Sequence, residues 1–468
     1  MRSPLSTLLT CLLVGLRLAA QTPAPLAPGQ VIDPVVCAFD HSESYALYLP
    51  SNYTPAKRWP ILYAFHPLAL GISPVRLYKD AAEKYGYIVA GSNNSRNFSL
   101  EEASKAANAM WADTHARFPI DERQVYTTGF SGGARIAGLV ALRCPQCKIA
   151  GVIAHGAGYP VSQQPAATDS LLYYFAVGEE DFNWPEVMTI RREREEHGSP
   201  YRVQTFPGPH SWAPAPVVED AVAWITLKAT QSGARAVDAA FVSAYFQKIQ
   251  DQATDAEKLG DTLAQLAAYR TLVSDFSGLK DVHDFQGRLA ALEKSPALKG
   301  ALKREQEAIH MQQSLEQELS PKIAAFGDAG SDDRLALRTA IYDGMTSLSR
   351  EAGHAKSEDK RLVRLRAFHS LWAQGIEAGQ ARLEAKDFSR AESYFRLMSE
   401  ISPDEAWPHL LLAEAHAGAG DRRLAVKDLR EAVKRGLKNP DILSEDKKLE
   451  ALRSDADFQQ IIAQLRTK

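Results

Sequence analysis

Short β-rich runs alternate with helix-like runs along the chain from Arg58 to Leu227. The β-rich runs are Pro60–Phe65, Tyr87–Ala90, Gln124–Thr128, Ile149–Ile153, Leu171–Val177 and Tyr201–Phe206. The helix-like runs between and after them are Val75–Tyr85, Leu100–Arg117, Gly133–Arg143, Trp184–His197 and Pro216–Lys228. Such alternation is typical of a mostly parallel sheet with helices on both faces. The pattern therefore predicts an α/β, doubly wound domain over residues 35–230.

The composition changes after residue 230, where strand signals vanish and the remaining sequence reads as helix. We expect an all-α helical region over residues 234–367, separable from the first domain. Within it, apolar residues recur at three- and four-residue steps and predict one buried helix face: Leu259, Leu263, Leu266, Tyr269, Val273 and Phe276.

A weak repeat marks residues 368–468, which we expect to hold two helical repeats and a C-terminal cap. Small or apolar residues recur at an offset of 34 residues: Gly379 and Ala413, Ala391 and Ala425, Phe395 and Leu429, Met398 and Ala432. This spacing over Gln374–Lys438 resembles the tetratricopeptide helix-turn-helix pattern. Such repeats bind a protein partner or pack as an accessory to the first domain, and the sequence leaves both roles open.

The N-terminus has the anatomy of a signal peptide. Arg2 supplies a positive charge, Leu5–Leu16 an apolar run, and Leu18–Ala20 a small-residue exit. The apolar run is shorter than the ~20 residues of a spanning helix, so we expect cleavage near residue 20 and no stable membrane span. A lipoprotein box at Cys11 is a weaker alternative. The protein is expected to be exported to the periplasm or the extracellular space.

Three cysteines remain after residue 20. In an oxidising compartment Cys144 and Cys147 are expected to form a local disulfide, with Cys37 free. A redox role is disfavoured because the Cys-Pro-Gln-Cys segment follows a helix-like run instead of opening one. With 24% charged residues and a formal charge of -3, the chain shows no basic excess that would attract nucleic acid.

The segment Val125–Gly133 combines a β-rich run, Gly-x-Ser-x-Gly and the start of a helix. This order predicts a nucleophile elbow, in which glycines at 129 and 133 permit a tight turn that exposes the Ser131 hydroxyl. A serine needs a base and an orienting acid, which in this arrangement follow along the chain as acid and then histidine.

Both partners follow at the ends of later β-rich runs. Leu171–Val177 leads into Gly178-Glu179-Glu180-Asp181, and Tyr201–Phe206 leads into a loop with His210. Strand ends at one sheet edge meet in space, so Asp181 and His210 are expected to lie near Ser131. Glu179 and Glu180 are alternatives for the acid.

Three further residues have candidate roles near the same edge. His155 is expected to lie in a loop or to line the pocket and is disfavoured as the base. We expect His66, at the end of the first strong strand, and Trp212 to border the substrate. No pattern indicates a metal site.

These motifs together resemble those of the α/β-hydrolase superfamily. The matching segments are Gly129–Arg135, Gly178–Asn183 and His210–Trp212, and the resemblance covers residues 58–227. Within the superfamily the chain is similar to compact bacterial esterases related to polyhydroxybutyrate depolymerases and feruloyl esterases. The resemblance implies an acyl-enzyme on Ser131 and a Gly132 N–H that helps hold the oxyanion. It implies no cofactor and a small-molecule or polymeric ester substrate.

One segment departs from that family pattern. Many relatives carry His-Gly-Gly or His-Gly-x-Gly where this chain reads His66-Pro67-Leu68-Ala69, and Pro67 has no N–H to donate. We expect the N–H of Leu68 or Ala69 to supply the second oxyanion donor, with the His66 or Asn93 side chain as the alternative.

Two alternative functions remain open. If the site lacks its second donor, the chain is a binding or scaffold protein with an impaired hydrolase domain and a helical region that binds a partner. A peptidase on the same fold is disfavoured, because we expect this compact domain to carry no lid.

Overall fold

The computed structural model describes residues 26–97, 99–160, 163–165 and 170–467. The predicted signal peptide lies outside the described residues. The described chain contains one sheet of eight strands. They are β1 (Val31–Val36), β2 (Ser44–Tyr48), β3 (Trp59–Phe65), β4 (Ile88–Ser92), β5 (Ile120–Phe130), β6 (Gly151–His155), β7 (Leu172–Gly178) and β8 (Tyr201–Phe206).

The strands lie in the order β1-β2-β4-β3-β5-β6-β7-β8. β2 pairs antiparallel with both of its neighbours, and β4, β3, β5, β6, β7 and β8 pair in parallel. This mostly parallel sheet with helices on both faces has the α/β-hydrolase fold, which confirms the predicted fold class. The carboxyl ends of β3, β5, β6, β7 and β8 therefore meet at one edge, where open α/β sheets bind their ligands.

Two strands, β1 and β2, precede the run of alternation that the sequence revealed. β1 contains Pro34, which cannot donate to a ladder and so disguises the strand in the sequence. It is tolerated because β1 is the edge strand of the sheet. The sheet therefore begins before residue 35, the boundary that we predicted.

Five helices belong to the sheet-containing part: α1 (Ile72–Tyr85), α2 (Leu100–Arg117), α3 (Gly132–Arg143), α4 (Trp184–His197) and α5 (Ala215–Gln231). Side chains alternate along each strand, so successive residues enter opposite cores. Tyr126 of β5 packs in the core under α1 and α5, whereas Val125 packs in the core that includes residues of α2, α3 and α4. Both strand residues are fully buried.

The rest of the described chain is helical, as predicted. The helices are α6 (Ala239–Leu259), α7 (Thr262–Phe276), α8 (His283–Glu293), α9 (Pro296–Phe326), α10 (Ser331–Gly353), α11 (Glu358–Glu384), α12 (Phe388–Ile401), α13 (Trp407–Gly418), α14 (Arg422–Lys434), α15 (Pro440–Glu445) and α16 (Ala456–Arg466).

The apolar stripe predicted from Leu259 to Phe276 is divided between two helices. Gly260 ends α6 with a φ of +68°, a left-handed conformation that glycine adopts without strain. Asp261 then caps α7 by accepting a hydrogen bond from the Ala264 N–H. Leu259 is consequently 82% exposed, and the stripe begins only in α7.

In the C-terminal helices, small residues lie where neighbouring helices approach closely. A Cβ on Gly379 would lie 2.5 Å from the Phe395 ring, and Ala391, Ala413 and Ala425 are fully buried. These contacts follow the packing that the 34-residue offset predicts. Their classification as tetratricopeptide units stays a prediction.

The disulfide between Cys144 and Cys147 is present, with a Cα–Cα distance of 5.3 Å, and Cys37 is free and buried. The bond closes a short 3₁₀ turn that follows α3. The Cys-Pro-Gln-Cys segment therefore does not open an α-helix. None of the helices that the structure describes is both long and apolar enough to span a bilayer.

The core of the sheet-containing part continues into α6 and α7. Trp224 of α5 is fully buried, and its cluster includes Tyr245 of α6 and Leu272 of α7. The Trp224 Nε1–H donates to Asp275 Oδ2 at 2.8 Å, and Lys228 Nζ lies 2.7 Å from Asp275 Oδ1. The architecture changes near residue 230 as the sequence suggests, but the apolar core does not end there.

We therefore predict that a chain ending after Arg235 will not fold cooperatively, because α5 would expose apolar side chains that α6 and α7 now cover. A chain ending after Gly436 keeps those helices and should retain the thermal transition of the sheet. Circular dichroism melting and binding of a hydrophobic dye measure both. A soluble short chain with a cooperative transition would show that the sheet-containing part closes its core alone.

Candidate active site

Ser131 lies at the sharp turn between β5 and α3. Its φ is +53°, a strained conformation for a residue with a side chain, and its N–H donates to the His155 carbonyl at 2.9 Å. The two flanking glycines are needed because the backbones nearly touch. A Cβ on Gly129 would overlap the Gly133 carbonyl, and one on Gly133 would overlap the Phe65 carbonyl. The local geometry is that of a nucleophile elbow.

Ser131, His210 and Asp181 lie in one hydrogen-bonded line. His210 Nε2 is 3.0 Å from Ser131 Oγ, and His210 Nδ1 is 2.9 Å from both carboxylate oxygens of Asp181. Asp181 is fully buried, while the side chain of His210 is 19% exposed. Asp181 Oδ1 also accepts the Asn183 N–H at 2.8 Å. The carboxylate is thus held by its own loop while it contacts the imidazole.

The imidazole ring of His210 packs against two phenyl rings. The Phe130 and Phe182 centroids lie 4.6 and 4.3 Å from that of His210. Gly156, at a φ of +60°, lies beside the His–Asp pair. A Cβ there would be 2.9 Å from Asp181 Oδ2 and 3.1 Å from His210 Cε1.

The alternative acids and bases lie elsewhere. Glu180 Oε1 pairs with Arg361 at 3.0 Å, and Glu179 lines a cavity behind the loop. His155 is the last residue of β6, not a loop residue, and is fully buried with Nε2 2.7 Å from the Tyr78 hydroxyl. Its ring therefore does not reach Ser131 Oγ with a hydrogen bond.

The backbone donors predicted after β3 are already engaged. The Leu68 N–H donates to His66 Nδ1 at 3.1 Å, and the Ala69 N–H donates to the His66 carbonyl at 3.1 Å. Burial lowers the pKa of His66 to about 4, so its ring is neutral at pH 7 and Nδ1 can accept. In this structure Leu68 and Ala69 therefore do not provide the second oxyanion donor, because the turn after Pro67 uses both N–H groups internally.

Asn93, the alternative donor, also points away, since its Nδ2 donates to Asp33 Oδ1 at 2.8 Å. A residue that the sequence did not single out, Asn97, lies against Gly132. A Cβ on Gly132 would overlap Asn97 Oδ1 and lie 2.9 Å from Nδ2. The Gly132 N–H is in the first turn of α3 and has no acceptor within the helix. Its backbone and the Asn97 carboxamide are therefore neighbours beside Ser131.

His66 and Trp212 extend the aromatic wall of the site. Their ring centroids are 6.2 Å apart and nearly parallel, and Trp212 also contacts Phe130 at 5.7 Å. Trp212 Nε1 is buried and makes no hydrogen bond within the described part of the chain. The structure thus brings both predicted substrate-binding residues to the ring cluster that contains His210.

Helix α11 runs beside this site, against the loop that carries Asp181, and the absence of a lid stays a prediction. Arg366 packs on Trp184, with the guanidinium carbon 3.9 Å from the ring centroid. Three turns further along α11, the side chain of Glu377 is exposed, but the protein atoms packed around it raise the pKa of its carboxyl group by desolvation. Arg135 and His210 lie near enough to act in the opposite direction and lower that pKa. The composition of the helical region gave no signal of this placement, because it depends on contacts across the chain.

No protein-family model and no curated protein matches this chain. Solved structures similar to part of it include the S-formylglutathione hydrolase of Staphylococcus aureus, with 15% identity over 39% of this chain and 92% of that one, and a TM-score of 0.33. A ferulic acid esterase has 15% identity over 42% and 97% of the two chains, with a TM-score of 0.34. An esterase of Pyrobaculum calidifontis has 11% identity over 43% and 87%, with a TM-score of 0.36.

The contacts of Gly156 generate a prediction. Gly156→Ala should lower turnover, because a methyl group there pushes on Asp181 and His210 as well as straining a positive φ. Gly198→Ala is a matched control, since Gly198 has a φ of +67° and nothing within 4 Å of an added Cβ. Ester hydrolysis and thermal melting of both variants make the comparison. Equal activity of the two variants would contradict the prediction.

Proposed function

We propose that this protein is a serine hydrolase that cleaves carboxylic esters through an acyl-enzyme on Ser131. The observation that carries the proposal is the line of hydrogen bonds from Ser131 Oγ through His210 to the buried Asp181. A serine hydroxyl is a weak nucleophile until a base takes its proton, and a base works only when its ring is oriented. The distances from Ser131 Oγ to His210 and from His210 to Asp181 support both roles.

In the proposed reaction Ser131 Oγ attacks the ester carbonyl carbon while His210 Nε2 takes its proton. Asp181 holds the Nδ1–H and stabilises the imidazolium that forms. The tetrahedral intermediate then expels the alcohol, which receives the proton from Nε2. Water, deprotonated by His210, attacks the acyl-enzyme and releases the acid, so that Ser131 regains its proton. None of these steps uses a metal or an organic cofactor.

The developing oxyanion needs donors beside Ser131. The Gly132 N–H at the start of α3 is the first, helped by the positive end of the helix. We propose the Asn97 carboxamide as the second, because Leu68, Ala69 and Asn93 use their N–H groups elsewhere. The Asn97 carboxamide lies against Gly132, with Oδ1 nearer than Nδ2 to the position of an added Cβ. Its Nδ2 makes no hydrogen bond to the rest of the described chain and is therefore free to donate.

The substrate class is an ester of a small molecule or a polymer, with His66 and Trp212 on the wall that it would contact. Export to an oxidising compartment is supported by the N-terminal sequence and by the disulfide. The alternative of a binding protein with an impaired site is disfavoured by the close contacts of Ser131, His210 and Asp181. A protein partner for the helical repeats stays a separate proposal.

The decisive test is labelling with a fluorophosphonate and turnover of short p-nitrophenyl esters. We expect Ser131→Ala to lose both without lowering the melting temperature, because one hydroxyl at a strained turn adds little stability. Asp181→Asn should reduce kcat by about 10⁴-fold, since it favours the wrong histidine tautomer. Glu180→Gln is the control in the same loop. Labelling that persists in Ser131→Ala would remove Ser131 from the mechanism.

The oxyanion assignment predicts that Asn97→Ala lowers kcat by about 10²–10³-fold, the usual effect of losing one such donor. KM should change little, because the donor acts on charge that develops in the transition state. Asn93→Ala, four residues earlier and bonded to Asp33, should keep the kcat of the unmodified protein. Steady-state kinetics measure both variants, and an Asn97→Ala variant with undiminished kcat would exclude this donor.

A further inference from the structure

The loop that carries Asp181 leaves some of its own backbone acceptors without a backbone donor. Within the loop, the Gly178 carbonyl accepts from the Asp181 N–H at 3.1 Å, and the Asp181 carbonyl accepts from the Trp184 N–H at 3.0 Å. The carbonyls of Glu179, Glu180 and Phe182 have no such partner in the turn. These three residues are half-buried, and backbone carbonyls in such places are usually paired with another backbone group, a side chain or water.

Side chains of the helical region supply these three donors. The Arg366 Nε–H donates to the Glu179 carbonyl at 2.5 Å, and His369 Nδ1 lies 3.4 Å from the Glu180 carbonyl. From α9, Gln312 Nε2 donates to the Phe182 carbonyl at 3.1 Å.

Arg366 contacts the loop on both sides of Asp181. Its guanidinium bonds the Glu179 carbonyl before the acid and stacks on Trp184, the first residue of α4, after it. Arg366 is only 4% exposed, so the contact is fixed by surrounding protein. Burial lowers the pKa of Arg366 to about 10, and it remains a cation at neutral pH beside the carboxylates of Glu179 and Asp181.

The position of this loop determines the catalytic geometry. Asp181 reaches His210 with both oxygens at 2.9 Å, and a displacement of about 1 Å would break that contact. Displacements of this size at a reacting group cost about 10²-fold in rate. A residue that fixes the loop therefore acts on turnover without touching the substrate.

We propose that Arg366 is a positioning residue for the Ser131–His210–Asp181 triad, and that helix α11 is thereby part of the active site. This inference rests on the proposed function, because it assigns Arg366 a role in that triad. α11 is one continuous helix of 27 residues. The part of α11 that contacts the loop with Asp181 is therefore in the same continuous helix as Gly375 and Gly379, against which α12 packs.

The test compares variants of the full-length chain. Arg366→Met keeps the length of the side chain but removes the donor and the charge, and should lower kcat by about 10- to 100-fold with little change in KM. Arg366→Lys keeps the charge without the planar stacking, and should recover part of the loss. Arg364→Met is the matched control, because Arg364 lies on the same helix and pairs at 3.0 Å with Glu351, away from the acid loop.

A second readout needs no substrate. The proton of His210 Nδ1–H, bonded to Asp181, gives a far-downfield NMR resonance that should shift or broaden in Arg366→Met and remain unchanged in Arg364→Met. A purely structural role would lower the melting temperature but leave this resonance and kcat as in the control. Should Arg366→Met fail to fold, Arg366→Lys decides by the same two measurements.

The proposal is overturned if the folded Arg366 variant matches Arg364→Met in both kcat and the His210 resonance. Failure of the proposed function has a different signature. In that case the unmodified protein itself would not react with a fluorophosphonate, while the resonance would still report whether Arg366 positions Asp181.

Discussion

The close approach of backbones around Ser131 is the constraint on which the site depends. The chain leaves β5, turns at a positive φ and enters α3 within two residues, so Gly129 and Gly133 must lack side chains. The turn presents the hydroxyl at the sheet edge and leaves the first N–H groups of α3 without helical partners. The proposed nucleophile and one proposed oxyanion donor thus arise from one local conformation, and the other residues of the candidate site are arranged around it.

The proposed acid and base differ from this turn, because each is held by residues that are distant from it in the sequence. His210 packs against Phe130 and Phe182 and lies beside Gly156. Asp181 is held by a loop whose carbonyls are satisfied from α9 and α11. The proposed triad is therefore supported by both parts of the chain, although only the sheet-containing part supplies its residues.

The junction between the two parts shows the same dependence. Trp224 and Lys228 of α5 share Asp275 of α7, and the apolar cluster around Trp224 extends through α6 and α7. The helical region packs against α5 and also bonds the loop that carries Asp181. These two contacts restrict its movement relative to the sheet. This arrangement favours one integrated unit over a sheet-containing part joined to an independent helical module.

The sequence by itself determined the features that neighbouring residues encode. These are the alternation of strands and helices, the glycine-flanked Ser131, the order of serine, acid and histidine, and the local cysteine pair. Each depends on backbone propensity, turn sterics or spacing within a few residues. The sequence did not predict the edge strand β1, because a proline such as Pro34 argues against a strand. Pro34 is tolerated only because β1 lies at the edge of the sheet.

Tertiary structure alone decided which groups meet across long separations. Arg366 and the Glu179 carbonyl are 187 residues apart, and no pattern in either segment announces their contact. Likewise, whether the Leu68 N–H was free depended on the turn that His66 makes after β3, and Asn97 came to lie against Gly132 through loop packing. Hydrogen-bond donors are assigned by competition among all nearby acceptors in the folded chain, and a sequence does not display that competition.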